Sequence, residues 1–246
     1  MGDPKVTLPK ILFKYRSLEP AARVHTLRTI SHREIWFSSL ANFNDPFEAR
    51  ASVSMNGSDE QWQRDFGCPR PDPRRLAGLV PDLEQGVRAD GEKLGIFCLS
   101  ERSDDILMWS HYSASHRGVC FGFRTSGDSI LSDLQPVEYS DEYPRIKYFE
   151  MTAVQRVRKM LLTKAAHWSY ENEWRVLRTE PPPGLASYPS GMLARIILGC
   201  QIRPKDREEI ISLVSAVPEA PELYQARRSV SAFALESCDV GKSSAV

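Results

Sequence analysis

The sequence lacks several features that would assign a protein to a class at once. No apolar run approaches the ~20 residues that a membrane-spanning helix needs, and the first residues carry no apolar stretch of the secretory type. An excess of one charge is also missing, because 32 Lys and Arg balance 32 Asp and Glu. This balance argues against a protein that coats nucleic acid or an anionic membrane through its overall field. We therefore expect no membrane partner.

Cysteine is scarce and irregularly spaced. The chain has 5 cysteines, with no C-x-x-C pair and no zinc-like spacing to a histidine. Isolated cysteines of this kind are typical of free thiols in a reducing compartment. We predict a cytoplasmic protein without a metal site.

The common catalytic signatures are absent as well. The chain contains no P-loop, no G-x-G-x-x-G, no H-E-x-x-H, no G-x-S-x-G, and no H-x-E with P-C-x-x-C. These absences remove support from P-loop NTPases, Rossmann dehydrogenases, zinc proteases, α/β-hydrolases and zinc deaminases.

Hydrophobic periodicity predicts an α+β fold, since short apolar or alternating segments mix with longer amphipathic ones without regular alternation. We expect about seven strands in a mixed or antiparallel twisted sheet, with helices around it. The predicted strands are 11–16, 35–38, 47–53, 94–100, 118–123, 137–139, 171–177 and 194–198, followed by a hairpin of 222–227 and 230–235. The predicted helices are 20–30, 103–116, 152–168 and 204–214, the second of them with Ser103 as its N-cap.

One domain is expected over residues 1–240. Within it, residues 67–75 hold three prolines and three arginines and are predicted to form a loop. Residues 241–246 are predicted to be a frayed tail.

The most informative segment is Tyr170-Glu-Asn-Glu-Trp-Arg-Val176. On a strand, Glu171, Glu173 and Arg175 would share one face, while Trp174 would join the core. Two carboxylates about 7 Å apart suit chemistry in which one stabilises a positive charge and the other acts as a base. A solvated strand face with a salt bridge explains the same pattern, and spacing alone leaves both interpretations open.

Two other segments carry polar residues that could serve a site. Asn44 and Asp45 follow a predicted strand, where they either hold a turn or contribute to a binding loop. Lys14 and Arg16 share one face of the first strand. Cations placed there can grip a phosphate or carboxylate, although exposed edge charges give the same pattern.

The helix that contains Met108-Trp-Ser-His-Tyr112 presents an aromatic stripe. Trp109 and Tyr112 are three residues apart and meet on one face. Such a stripe is usually core, and His111 is either a structural histidine or a catalytic one.

Four blocks of sequence occur together in a recognisable order. They are Leu12-Phe-Lys-Tyr-Arg-Ser17, then Ile35-Trp-Phe-Ser-Ser with Phe43-Asn-Asp-Pro-Phe-Glu48, then Met108-Trp-Ser-His-Tyr112 with Gly118-Val-Cys-Phe-Gly-Phe123, and finally Trp168-Ser-Tyr-Glu-Asn-Glu-Trp-Arg175. In this order they resemble the bacterial domain-of-unknown-function family 2971. The resemblance implies no established activity.

A looser resemblance is to ADP-ribosyltransferase-like domains, including those that modify DNA. Such domains begin with a strand whose cation or histidine grips NAD, and Lys14 and Arg16 match that place. They close their site with a Glu-x-Glu strand, which Glu171 and Glu173 match. Relatives often carry His where Lys14 stands, and Ser38 is part of only a partial counterpart of their Ser-Thr-Ser motif.

This resemblance implies an NAD-dependent ADP-ribosyltransferase or NAD glycohydrolase, with a bacterial toxin or phage-defence effector as one setting. NAD would be the substrate, so the partners would be a nucleotide-like small molecule and a macromolecular acceptor, either protein or nucleic acid. The residues expected to act in catalysis are Glu173, Glu171 and His111. The residues expected to bind NAD are Lys14, Tyr15, Arg16, Ser38, Asn44, Asp45, Trp109, Tyr112 and Arg175.

Two alternatives remain open at this point. One is a metal-dependent nuclease or phosphodiesterase, since oxygen-rich clusters can hold Mg²⁺ or Mn²⁺. Its ligands would come from Asp45, Glu48, His111, Glu171 and Glu173. The other is a non-catalytic binding domain, which the lack of a sharp catalytic motif allows.

Overall fold

The structure is a computed structural model that describes residues 7–126, 130–179 and 183–240. The strands are β1 (Ile11–Arg16), β2 (Glu34–Phe37), β3 (Ser52–Ser54), β4 (Gly95–Ser100), β5 (Val119–Arg124), β6 (Gln135–Pro136), β7 (Glu138–Ser140), β8 (Arg145–Lys147), β9 (Thr163–Ala165), β10 (Glu173–Arg178), β11 (Gly184–Ser187), β12 (Leu193–Leu198), β13 (Glu222–Arg228) and β14 (Leu235–Asp239). The helices are α1 (Pro20–Ser31), α2 (Asp59–Phe66), α3 (Pro73–Glu92), α4 (Ile106–Tyr112), α5 (Ala153–Leu161) and α6 (Pro204–Ala216). Two 3-10 helices span Leu40–Asn42 and Ala166–Glu171.

The predicted α+β class is confirmed. An 8-stranded sheet has the order β14-β13-β12-β5-β1-β4-β10-β6, and it is mixed because β12 and β13 run parallel while its other pairs are antiparallel. Three further pairs of strands lie outside it, namely β11–β2, β3–β8 and β7–β9. The main sheet thus holds one strand more than the seven expected. Among the described residues, no helix has the length and hydropathy needed to cross a membrane.

The main sheet is incompletely paired between β1 and β4. Six residue pairs are in register between β1 and β5, from Ile11–Arg124 to Arg16–Val119. In contrast, β1 and β4 share one registered pair, Phe13 with Ser100. We call the opening beyond this pair the β1–β4 gap.

Three apolar clusters pack around the sheet. The first lies on the face of Leu12 and Phe121 and is covered by α1 and α6. Because side chains alternate along a strand, Tyr15 and Cys120 point to the other face, where they form the third cluster with Trp109 of α4. The second cluster packs α2, α3 and α5 near β4 through Trp62, Val87, Ile96, Val157 and Met160.

Helix α4 is shorter than the predicted helix 103–116. Asp105 caps it instead of Ser103, and its Oδ1 accepts hydrogen bonds from the amides of Leu107 and Met108 at 2.9 and 3.0 Å. The helix ends at Tyr112 because residues 114–116 have positive φ, between 51° and 66°. These left-handed conformations cannot continue a right-handed helix.

The predicted helix 152–168 divides into three elements. Thr152 and Gln155 form a capping box at the start of α5, which ends at Leu161. The chain then forms β9 and the 3-10 helix 166–171. This turn carries Lys164 into a buried position with 5% of its surface exposed, and tertiary ion pairs described below fix it there.

Three other predicted boundaries differ from the structure, two of them because of local hydrogen bonds. The predicted strand 47–53 reduces to β3, because Asp45 accepts a hydrogen bond from the Phe47 amide and holds a turn. The predicted loop 67–75 ends early, since Asp72 caps α3 from Pro73 onwards. The last hairpin pairs β13 with β14 (Leu235–Asp239) instead of with 230–235. The predicted tail, 241–246, lies outside the described residues.

Candidate functional site

A cavity of about 760 Å³, including its open mouth, lies over the β1–β4 gap. It sits on the sheet face of Phe13 and Ser100, between the second and third apolar clusters. Its lining residues are Phe13, Lys14, Tyr15, Ser38, Asn42, Phe43, Asn44, Glu48, Ile96, Cys98, Leu99, Ser100, Met108, Tyr112, Lys164, Glu171, Glu173 and Arg175.

A buried lysine joins two glutamates on the wall of the cavity. The Lys164 ammonium lies 2.5 Å from Oε2 of Glu171 and 3.1 Å from Oε2 of Glu173. All three residues are at least 94% buried, since their exposed fractions are 5%, 2% and 6%. Because the two Oε2 atoms share one ammonium, they lie no more than about 6 Å apart.

Arg175 extends this network to a third glutamate. Its guanidinium donates two hydrogen bonds to Glu173, each 2.8 Å long, and a further one to Glu48. It also donates to the Leu161 carbonyl at 2.5 Å. Arg175 is 0% exposed, so every hydrogen bond it makes is shielded from water and correspondingly strong.

Tyrosines and a serine hold the two glutamates in place. The Tyr112 hydroxyl donates to Oε1 of Glu171 at 2.7 Å. The Ser100 hydroxyl donates to the Glu171 carbonyl at 2.6 Å, and the Glu173 amide donates to the Tyr139 hydroxyl at 2.8 Å. Helix α4, strand β4 and strand β7 therefore all fix the geometry of the pair.

The two glutamates have pKa values that are shifted in opposite directions. Burial raises the pKa of Glu171, helped by the nearby charge of Glu173 and only partly offset by Lys164. Burial alone would also raise the pKa of Glu173, but the charges and hydrogen bonds of Arg175 and Lys164 outweigh it and the pKa falls below the ordinary value. Glu173 is thus held ionised, while Glu171 accepts a proton more readily than an ordinary glutamate.

Lys14 is a cation without a polar partner among the described residues. It reaches the cavity from the opposite face of β1 through the β1–β4 gap, and its ammonium lies 5.3 Å from the centroid of the Phe97 ring. Burial lowers its pKa from the ordinary lysine value. Lys14 is half-buried, and an ammonium that loses water without gaining an ion pair is costly to maintain, so Lys14 is suited to meet an anionic group of a ligand.

The structure brings most of the sequence-predicted site residues to this cavity. Eight of the twelve line it: Lys14, Tyr15, Ser38, Asn44, Tyr112, Glu171, Glu173 and Arg175.

The other four lie elsewhere. Arg16 lines a smaller cavity of about 240 Å³, which it shares with Lys14 on the other side of the gap. His111 is exposed and contacts the rings of Tyr112 and Trp168. Trp109 is 0% exposed in the third cluster, and Asp45 holds the turn before Phe47.

Two expectations about the Glu-x-Glu segment need correction. Strand β10 begins at Glu173, so Glu171 ends the preceding 3-10 helix instead of lying on the strand. Asn172 between them has φ of 42°, which turns the chain and still brings both carboxylates to Lys164. The solvated strand face is also wrong, because Glu173 and Arg175 are buried.

Sequence reasoning missed Lys164, the residue that joins the pair. It lies within the predicted helix 152–168, where the period of an amphipathic helix gives no reason to expect a buried lysine. Cys98 was predicted only to be a buried thiol, yet it lines the cavity, and burial raises its pKa. The signal for Lys164 is its proximity in sequence to two glutamates that share one buried site.

The residues of the metal-dependent nuclease hypothesis only partly converge, since Glu48, Glu171 and Glu173 line the cavity whereas Asp45 and His111 do not. Within residues 7–126, 130–179 and 183–240, no group of three or more His, Cys, Asp and Glu side chains is placed to hold a metal ion. Glu48, Glu171 and Glu173 are each ion-paired with Lys164 or Arg175. Their oxygens face ammonium or guanidinium groups, which leaves a poor ligand set for a divalent cation.

Comparison with known proteins finds one similarity, and it lies in the part of the chain that supplies much of this site. Residues 108–176 match the model of a family described as "Protein of unknown function (DUF2971)". The match covers the segments 108–123 and 168–175 and includes Tyr112, Lys164, Glu171, Glu173 and Arg175, whereas the two earlier blocks lie outside it. The chain is therefore similar to this family over a little more than a quarter of its length. Searches of the curated proteins and of the solved structures find no match.

Proposed function

We propose that the cavity binds NAD and cleaves the bond between nicotinamide and ribose, so that ADP-ribose passes to water or to a macromolecular acceptor. The observation that carries this proposal is the pair Glu171 and Glu173, which share the Lys164 ammonium while their pKa values are shifted apart. Pairs of titratable groups with divergent pKa values are typical of acid–base sites.

Each glutamate has a distinct role in this reaction. When the carbon–nitrogen bond breaks, its electron pair leaves with nicotinamide and the ribose becomes an oxocarbenium-like cation. The ionised Glu173 stabilises that cation electrostatically. Glu171 removes the proton from water or from the acceptor hydroxyl as the new carbon–oxygen bond forms. In hydrolysis the products are ADP-ribose, nicotinamide and one proton.

The remaining lining residues suit the two ends of a dinucleotide. Lys14 offers an unpaired ammonium to the pyrophosphate. Phe13, Phe43 and Tyr112 offer ring surfaces against which a flat heterocycle can pack. The Ser38 hydroxyl and the Asn44 amide add polar groups for the sugars.

Nicotinamide release from NAD tests this proposal. Glu171→Gln and Glu173→Gln should each reduce the rate by about 100-fold or more, the usual contribution of an acid–base or charge-stabilising group. Glu138→Gln is the matched control, because Glu138 is an exposed glutamate paired with Lys159 on the surface. Equal release by wild type and Glu173→Gln would refute the proposal.

A second candidate is a domain that binds a nucleotide without catalysis. It is favoured by the full occupation of Glu173, whose two oxygens accept three hydrogen bonds from Arg175 and Lys164. Isothermal titration with NAD separates the two candidates. Binding that depends on Lys14 without any nicotinamide release would support the second candidate over the first.

A further inference from the structure

A second concave region lies at the far side of the sheet, where α6 begins beside β13. It has a volume of about 920 Å³ and is lined by Cys200, Ile202, Pro204, Arg207, Glu208, Gln225, Ala226, Arg227 and Arg228. Its lining includes three arginines and one glutamate. We call this region the arginine groove.

Two of these arginines are available to a ligand. Most arginines of the described chain that lie near carboxylates form ion pairs, as Arg195 does with Glu222 and Arg203 with Asp206. Arg207 and Arg228, in contrast, have no ion pair or side-chain hydrogen bond within the described ranges. Arg228 is exposed and Arg207 is partly exposed, and a guanidinium without a carboxylate partner can pair with phosphate oxygens.

An exposed aromatic side chain lies in the loop that follows Arg228, a residue of the groove. The loop after Arg228 connects β13 to β14, and it carries Phe233 with 102% and Val230 with 103% of their surfaces exposed. A phenyl ring that packs against nothing in its own chain gains burial only from a partner. It is therefore a surface on which a base can stack.

We propose that the arginine groove binds the phosphates of a single-stranded nucleic acid, with Phe233 stacking on one of its bases. A basic groove beside an exposed aromatic ring is the combination that recognises single strands without sequence preference. The neutral overall charge is compatible with this, because the positive charge is local. The inference goes beyond the proposed reaction, since oligonucleotide binding is measured without NAD.

Fluorescence anisotropy with a labelled single-stranded oligonucleotide of about 12 nucleotides tests the proposal, a length within the range of single-strand sites. Arg207→Gln/Arg228→Gln should weaken binding about tenfold or more at low salt, and Phe233→Ser should weaken it about fivefold or more. All three side chains lie at the surface, so the variants are expected to fold. Arg70→Gln/Arg74→Gln removes the same charge from an exposed segment and should have little effect.

The matched control for Phe233→Ser is Tyr143→Ser, which changes an aromatic residue that is 48% exposed in another loop. Competition distinguishes a strand from a small anion. Displacement by a mononucleotide as effective as displacement by unlabelled oligonucleotide, at equal phosphate concentration, would overturn the proposal. So would equal binding by wild type and Arg207→Gln/Arg228→Gln, or the absence of binding.

Discussion

Replacing Arg175 with methionine tests whether the buried charges hold this fold together. Methionine keeps a comparable length and removes the guanidinium, so Glu173 loses two hydrogen bonds and Glu48 loses the one ion pair that it makes within the described residues. Removing one member of a buried ion pair costs about 3–5 kcal/mol, because the remaining charge is left without compensation.

That cost is large enough to measure by ordinary unfolding. For a chain of this size, 1 kcal/mol corresponds to about 2–4 °C in Tm, so Arg175→Met should unfold about 6–20 °C below wild type. Circular dichroism during heating and in urea measures both values. The deficit should shrink as the pH falls, since protonation removes buried negative charge that Arg175 no longer compensates.

Two comparisons make this prediction specific. Arg195→Met removes an arginine whose side chain is 42% exposed and whose surface ion pair with Glu222 is worth about 1 kcal/mol or less. Arg175→Met/Glu48→Gln removes both members of one pair and should recover part of the lost stability. If Arg175→Met were no less stable than Arg195→Met, the network would not stabilise the fold, and the assignment of its carboxylates as buried charges would be wrong.

Two further predictions concern the walls of the cavity. Lys14→Met should raise stability near neutral pH and weaken NAD binding. Because burial lowers the folded-state pKa of Lys14, its charge destabilises the fold below that pKa, and this penalty disappears as the pH rises towards the ordinary value of 10.5. The gain in stability, measured by urea unfolding, should therefore shrink at alkaline pH. An unchanged or lower stability near pH 7 would contradict this. Asp105→Ala should cost about 0.5–2 kcal/mol through loss of the α4 cap, and it should reduce ligand affinity because Tyr112 lies at the end of that helix; Asp72→Ala, at the cap of α3 away from the cavity, should lower stability without changing affinity.

The core strands were predictable because their hydrophobic patterns are typical of strands. The segments of β1, β4, β5 and β12 alternate or are continuously apolar, and the structure places each within about a residue of the prediction. The types of residue in β1, α4 and β10 were reason to expect that they meet in one cavity. Residue types that are uncommon in buried strands, such as Lys14 and Arg175, gave the signal.

Other features depended on long-range contacts that a sequence does not display. Helix α3 contains Gly78, Pro81, Gly86 and Gly91, all residues that weaken a helix, so packing against α5 determines it and local propensity does not. The end of α5 and the burial of Lys164 depend on ion pairs with residues that the turn itself brings near. Trp109 is buried in the third cluster and His111 is exposed. The sequence alone does not show which side of α4 faces the sheet, so it could not predict that neither residue lines the cavity.

Ligand binding at the β1–β4 gap is coupled to folding, because a ligand that binds only the folded chain stabilises it. Two neighbouring strands in the middle of a sheet leave backbone amides and carbonyls without the ladder that would normally hold them. A bound molecule that contacts Lys14 on one side and Cys98 on the other would bridge the two strands where they are not paired. A ligand that binds this gap should therefore raise the unfolding temperature with the logarithm of its concentration relative to its Kd. It should also slow amide exchange in β1 and β4.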